Sequence, residues 1–209
     1  MAESTLRLRD RSATEASIVE AGERILLRDG FPGLNVQTLA AEAGCDRKLV
    51  YRYFESADGV VDRIAGRVHA ALADHLDAAP PCQATLAETT PSLRAFARES
   101  LLAWFAALRA VPLTLRLMAW ALVEDTDLLR RIEADRSAVL QHWMRERRPR
   151  LRVPPEGDVI ALNAVLLAAV QQLALAADRR GAFAGVPLDA VGQIRIEAAL
   201  DRLLEAWPD

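Results

Sequence analysis

The sequence predicts an all-α chain, with a small N-terminal head of three helices followed by a larger helical body. Three observations carry this expectation. Apolar residues recur at three- and four-residue steps along most of the chain, the period of an amphipathic helix, and no stretch gives a convincing strand. Proline and glycine punctuate these stretches, at Gly30, Gly44, Pro112, Pro149, Pro154, Pro155, Gly181, Gly185 and Pro187. The third is local: residues 35–54 hold two short helical patterns joined by a tight turn at Gly44.

The first helix is expected to open at Ser12-Ala-Thr-Glu15, which reads as a capping box. Its apolar positions are Ile18, Ala21, Gly22, Ile25 and Leu26, and it ends at Asp29-Gly30-Phe31. Asn35 is a good N-cap for the second helix, whose apolar stripe is Val36, Leu39 and Ala43. Ala40 is small where the second and third helices would cross. Gly44 stands where a left-handed residue stops the second helix, and Asp46 caps the third. That third helix tucks Val50 and Phe54 inward and displays Arg47, Lys48, Tyr51, Arg52 and Tyr53. Arg47 and Lys48 in a first turn oppose the helix dipole by a few tenths of a kcal/mol, on the order expected for exposed charges. Cations placed there despite that cost suggest an anionic partner. Lys48 is the only lysine of the chain, and Tyr51 and Tyr53 are its only tyrosines. Two short helices with such an outer face form a helix-turn-helix able to enter a DNA major groove. A helical hairpin with a solvated basic face would share the spacing, and the flanking helices decide between the two.

Ser56 should cap the next helix, and further helices are expected at about 57–77, 91–110, 113–123, 127–147, 157–180 and 189–206. Thr90-Pro91 is a cap followed by proline at the first helical position. The domains read as a flexible basic arm at 1–11, a DNA-binding head at 12–56 with its motif at 35–54, and a helical body at 57–209. The arm carries Arg7, Arg9 and Arg11, either as a disordered tail or as an element reaching the minor groove.

Composition bounds the function. A hydrophobic fraction of 52% supports a substantial core, and a net charge of −3 argues against general nucleic-acid binding. The basic character is local. Cys45 and Cys82 are too isolated for a disulfide framework, and Cys45 reads as a small packing residue. His69, His75 and His142 show no metal spacing, so no metal and no cofactor is expected. There is no Gly-rich phosphate loop, nucleophile elbow or Cys–His pairing, hence no catalytic residue and no enzyme. No signal peptide opens the chain, which implies a cytoplasmic address.

Val159 to Ala177 holds no charged residue. Its length could span a membrane, yet Asn163, Gln171 and Gln172 interrupt it and charges crowd both ends. A helix apolar on all sides must be covered on all sides. Burial against the body and against a second subunit meets that need; a monomer core or a membrane span are the competing readings. The adopted interface comprises Leu166, Ala169, Val170, Leu173, Ile196, Leu200 and Leu203. The middle helices should hold any effector pocket. Phe96, Ser100, Trp104, Met118, Trp120, His142, Trp143 and Asn163 would suit an apolar or aromatic small molecule, although each alone also reads as core.

Gly30-Phe31, Leu39-Ala40, Ala43-Gly44 and Tyr51-Arg-Tyr-Phe54 resemble the N-terminal signature of the tetracycline-repressor (TetR) family of bacterial regulators, over roughly residues 12–62. The resemblance implies that Gln37 and Thr38 approach the DNA backbone, that Arg47, Lys48 and Leu49 face bases, and that Tyr51 and Tyr53 hold phosphates. It also implies pairing of the last two helices across a two-fold axis into a four-helix bundle. Asp46 and Leu49 stand where the family usually has serine and threonine, and Ala57-Asp58 where it has a lysine–acid pair. The expected function is thus a homodimeric, small-molecule-responsive repressor of a pseudo-palindromic operator. The alternatives are an adaptor that retains the head fold without reading DNA, or a regulator that needs no ligand.

Overall fold

The computed structural model describes residues 2–80, 93–147 and 159–205. Among these the chain forms nine helices and one short hairpin. In order they are α1 (Ala2–Arg28), a 3-10 turn (Phe31–Gly33), α2 (Val36–Ala43), α3 (Arg47–Phe54) and α4 (Ala57–Asp77). Then come α5 (Leu93–Ala110), α6 (Pro112–Ala121), α7 (Asp127–Arg147), α8 (Val159–Arg180), β1 (Ala182–Phe183), β2 (Val186–Pro187) and α9 (Ala190–Glu205). The chain divides into two compact units, residues 1–70 with 116–135 and residues 71–115 with 136–209.

Three expectations about elements need correction. Ser12 does not start α1: the helix already runs from Ala2, so Ser12 lies well inside it. Glu15 does not reach back to a cap; it pairs one turn away with Arg11, at 2.8 Å. No proline or glycine precedes Gly22, so nothing local stops the helix from extending backwards. Residues 2–11 are accordingly helix and not a separate arm. The loop after α8 contains a hairpin in which Ala182 pairs with Pro187 and Phe183 with Val186. Its two central residues, Ala184 and Gly185, have φ of 48° and 79°, the left-handed pair a tight hairpin demands. Strands this short show no periodicity. The cap expected at Thr90-Pro91 and the residue Cys82 lie outside the described residues.

In the first unit, Ile18, Leu26, Leu39, Val50, Val60 and Ile64 are completely buried. Gly22 lets α1 approach closely: a Cβ there would lie 2.8 Å from Ile64 Cδ1 and 3.2 Å from Val60 Cγ1. Arg24 and Arg28 both donate to the Glu42 carboxylate, tying α1 to α2. Arg131 pairs with Asp62 at 2.9 Å.

The second unit is built around α5, on which α8 and α9 pack. Leu101, Trp104, Leu108, Leu72, Leu76 and Leu204 form its deepest layer. The Trp143 indole N–H donates to the Leu76 carbonyl at 2.8 Å. Arg147, stacked on the Trp143 ring, donates to the carbonyls of Asp77, Ala79 and Pro80. Together these add donors to carbonyls at and just beyond the C-terminal end of α4. Arg98 pairs with Asp201 and fastens α5 to α9. Asp189 caps α9 by accepting from Gly192 N at 2.9 Å.

Candidate nucleic-acid interface

The geometry of residues 35–54 follows from its caps. Asn35 Oδ1 accepts from the N–H groups of Gln37 and Thr38, each at 3.0 Å, while Thr38 Oγ1 accepts from Asn35 N at 3.0 Å. Orphan donors at the start of α2 are thereby satisfied reciprocally. Gly44 ends α2 at φ 66°, and its N–H closes onto the last turn. Asp46 Oδ1 accepts from Lys48 N at 2.8 Å and starts α3. Ser56 Oγ accepts from Gly59 N at 3.2 Å and caps α4, as expected.

These turns aim α3 outward. Val50 and Phe54 are buried against the head, whereas Arg47, Lys48, Tyr51 and Arg52 are exposed; Tyr51 keeps 56% of its surface. A shallow groove lined by Gln37, Ala40, Ala41, Cys45, Asp46, Arg47, Lys48 and Tyr51 runs beside the turn. Its cations and tyrosine form a surface suited to phosphate and base edges. Leu49 and Tyr53 are half-buried, less prominent than their placement on the outer face implied. Tyr53 is covered by Arg11, whose guanidinium carbon lies 5.4 Å from the ring centroid. Thr38 uses its hydroxyl internally, donating to the Gly33 carbonyl at 2.7 Å, so its first role is to hold the loop before α2. Burial, reinforced by Asp46, pushes the Cys45 thiol pKa up. It stays a neutral packing group. Glu42 is held below its ordinary carboxylate range by hydrogen bonds from Arg24 and Arg28.

The residues read as an effector site do not share one unit. Met118 and Trp120 belong to the first, and Phe96, Ser100, Trp104, His142, Trp143 and Asn163 to the second. Trp120 is stacked on Phe31, with ring centroids 3.4 Å apart. His142 is exposed on α7, whereas Trp143 is buried with its N–H engaged. Phe96 packs with Ala95 and Met144, and Ser100 and Trp104 are buried along the same helix. Arg136, itself buried, lies over the Trp104 ring at 5.7 Å. Asn163 is half-buried. Among the described residues no group of His, Cys, Asp and Glu could hold a metal ion.

The interface residues also sort into two sets. Leu166, Val170 and Leu200 are buried within the chain itself, where α8 and α9 turn these positions onto their own unit. Leu173 and Ile196 are half-buried, and Ala169 and Leu203 are exposed. Further exposed apolar residues on the same two helices are Ile160, Val165, Val191 and Ile194. Residues 160–180 are long and apolar enough to cross a membrane by length and composition, with 22% of that stretch buried.

Comparison with known proteins places this geometry. Residues 18–64 match the sequence profile of bacterial regulatory proteins of the tetR family. An HTH-type transcriptional regulator of Mycobacterium tuberculosis is 38% identical over 69 residues, which is 33% of this chain and 30% of that protein. The chain therefore aligns with less than a third of that relative's length. A TetR family transcription regulator from Marinobacter aquaeolei VT8 is 18% identical, aligns over 96% of this chain and 97% of its own, and superposes with a TM-score of 0.56. The fatty acid degradation regulator FadR from Bacillus halodurans is 14% identical over 93% of this chain and 99% of its own, with a TM-score of 0.57. At such identities the structures speak for the fold and the profile for the head. Residues 18–64 of this chain are thus similar to the N-terminal segment of tetR-type bacterial regulatory proteins, and its described residues take an all-α fold like that of these solved structures.

Proposed function

We propose that this protein is a transcriptional regulator that binds a pseudo-palindromic operator as a homodimer and responds to a small molecule held in its helical body. The observation that carries the DNA reading is the outer face of α3, where Arg47, Lys48, Tyr51 and Arg52 stand free in solvent above the buried Val50 and Phe54. A short, doubly anchored helix can enter a major groove without rearrangement. Arg47 and Lys48 then read base edges, and Tyr51 and Tyr53 hold phosphates. The exposed Val165, Ala169, Val191, Ile194 and Leu203 support dimerisation, since exposed apolar residues on two long helices are better covered than hydrated. Two-fold pairing would set the recognition helices about one DNA turn apart, roughly 34–36 Å. An effector that favours another spacing lowers operator affinity by its differential binding to the two states. Trp104 and the buried residues of α5 support an apolar site in the second unit. The protein acts by binding and not by catalysis, in the compartment that holds the chromosome.

Selection of genomic fragments by the purified protein tests this reading. The expected result is enrichment of a two-fold-related site. Loss of about 1–3 kcal/mol is expected for Arg47→Ala or Lys48→Ala, with helical content unchanged. Failure to enrich any site at moderate salt would refute it.

A further inference from the structure

The stripe of α1 that packs on the helix-turn-helix continues past its last apolar residue. Ile25, Gly22 and Ile18 are buried and follow one another at three- and four-residue steps. The same stepping reaches Glu15 and then Arg11, and there the stripe becomes charged. Arg11 Nε donates to Glu15 Oε1 at 2.8 Å. The guanidinium carbon sits 5.4 Å from the centroid of the Tyr53 ring on α3. Glu15 thus holds the Nε edge, the guanidinium lies over the Tyr53 ring, and the terminal N–H groups have no partner among the described residues. The side chain is otherwise open, with 62% of its surface exposed.

Such a constellation fixes an arginine that would otherwise sample many rotamers. Its planar fork is pre-organised for a phosphate, and the face-on contact steadies the tyrosine ring. Arg11 lies outside the stretch that matches the family profile, residues 18–64. We infer that Arg11 is a positioning residue for DNA reading, which holds the Tyr53 ring and offers its terminal N–H groups to a backbone phosphate at the edge of the site bound by α3. This rests on the proposed entry of α3 into DNA. One side chain on α1 then contributes twice, by contact and by fixing a recognition-helix neighbour.

The test uses the full chain and a labelled duplex of the genomic site enriched by the wild type, titrated by fluorescence anisotropy at several salt concentrations. Arg11→Ala is expected to reduce the salt slope of log affinity by about 0.9, the signature of one lost phosphate contact. Arg11→Lys should restore most of that slope. In a Tyr53→Leu background, Arg11→Ala should cost about two- to fivefold less affinity than it does in the wild type, because the ring contact is already gone. Arg11 is exposed, so the helical signal should be unchanged in each variant. A wild type that binds no duplex would overturn the DNA reading and this inference with it. A wild type that binds normally, with Arg11→Ala equal to it in affinity and slope, would overturn this inference alone. Additive effects of the two substitutions would overturn the claim that Arg11 positions Tyr53.

Discussion

Asp46 holds two roles that a pair of substitutions separates. Its carboxylate caps α3 by accepting from Lys48 N at 2.8 Å, and it lines the same groove as Arg47, Lys48 and Tyr51. As a cap it stabilises; as an anion beside a DNA-reading surface it repels phosphates. Asp46→Asn keeps the cap, since asparagine ranks with aspartate there, and gives up only a charge–dipole contribution of about 0.3–1 kcal/mol. In return it removes a negative charge. A phosphate about 8 Å away in water repels that charge by about 0.5 kcal/mol, and physiological salt cuts the effect to about a third at such a distance. With two or three phosphates within reach, the net gain on DNA is about two- to threefold in affinity. Asp46→Ala removes the same charge but also the cap, costing about 1 kcal/mol of head stability. Fraying of the first turn of α3, where Arg47 and Lys48 sit, should offset its electrostatic gain. The measurements are anisotropy titrations with the selected duplex at fixed salt, beside urea unfolding of each variant. If Asp46→Asn weakens binding tenfold or more, the reasoning is wrong. The carboxylate would then be accepting a hydrogen bond from a base, as acidic side chains do from cytosine.

Three further outcomes are expected. Gly22→Val places a branched side chain where even a Cβ would sit 2.8 Å from Ile64 Cδ1 and 3.3 Å from Leu39 Cδ2; overpacking of about 1–3 kcal/mol should lower the urea midpoint, and an unchanged midpoint would contradict the close approach. Leu203→Glu puts a charge at an exposed apolar position of α9, so light scattering should shift from a dimer toward the 22.9 kDa monomer; a wild type already at that mass would refute the assembly. The third concerns acid. Because Arg24 and Arg28 depress the Glu42 pKa in the folded head, their pairing contributes stability above the ordinary glutamate value and loses it as pH falls through the lowered one. Glu42→Gln should therefore be less stable than wild type at neutral pH, with the difference closing below about pH 4.5; a gap that stays constant with pH would count against the ion pair.

What the sequence determined is local. Asn35, Gly44, Asp46 and Ser56 act at their own positions on backbone groups within a turn of themselves, so their capping roles are legible from residue type and spacing. The inward Val50 and Phe54 and the outward Arg47, Lys48, Tyr51 and Arg52 follow from a period of 3.6 alone. The helices of the described residues were legible for the same reason, although α1 begins at Ala2, ten residues before the Ser12 start expected for it. Tertiary structure decided everything that depends on which neighbour is near. Ser12 has a capping pattern, but the pairing of Glu15 with Arg11 and the absence of any helix breaker keep it inside α1. Leu166, Val170 and Leu200 were as apolar as an interface requires, yet apolarity does not say which surface covers a residue; contact with their own unit does, and leaves Val165, Val191 and Leu203 outside. His142 next to Trp143 looked like part of one wall, but adjacent residues on a helix point about 100° apart, and only Trp143 turns inward to meet Leu76. Neither Arg11 above Tyr53 nor Phe31 against Trp120 could be read from the chain, because each contact joins residues far apart in sequence that only packing of the intervening helices brings together.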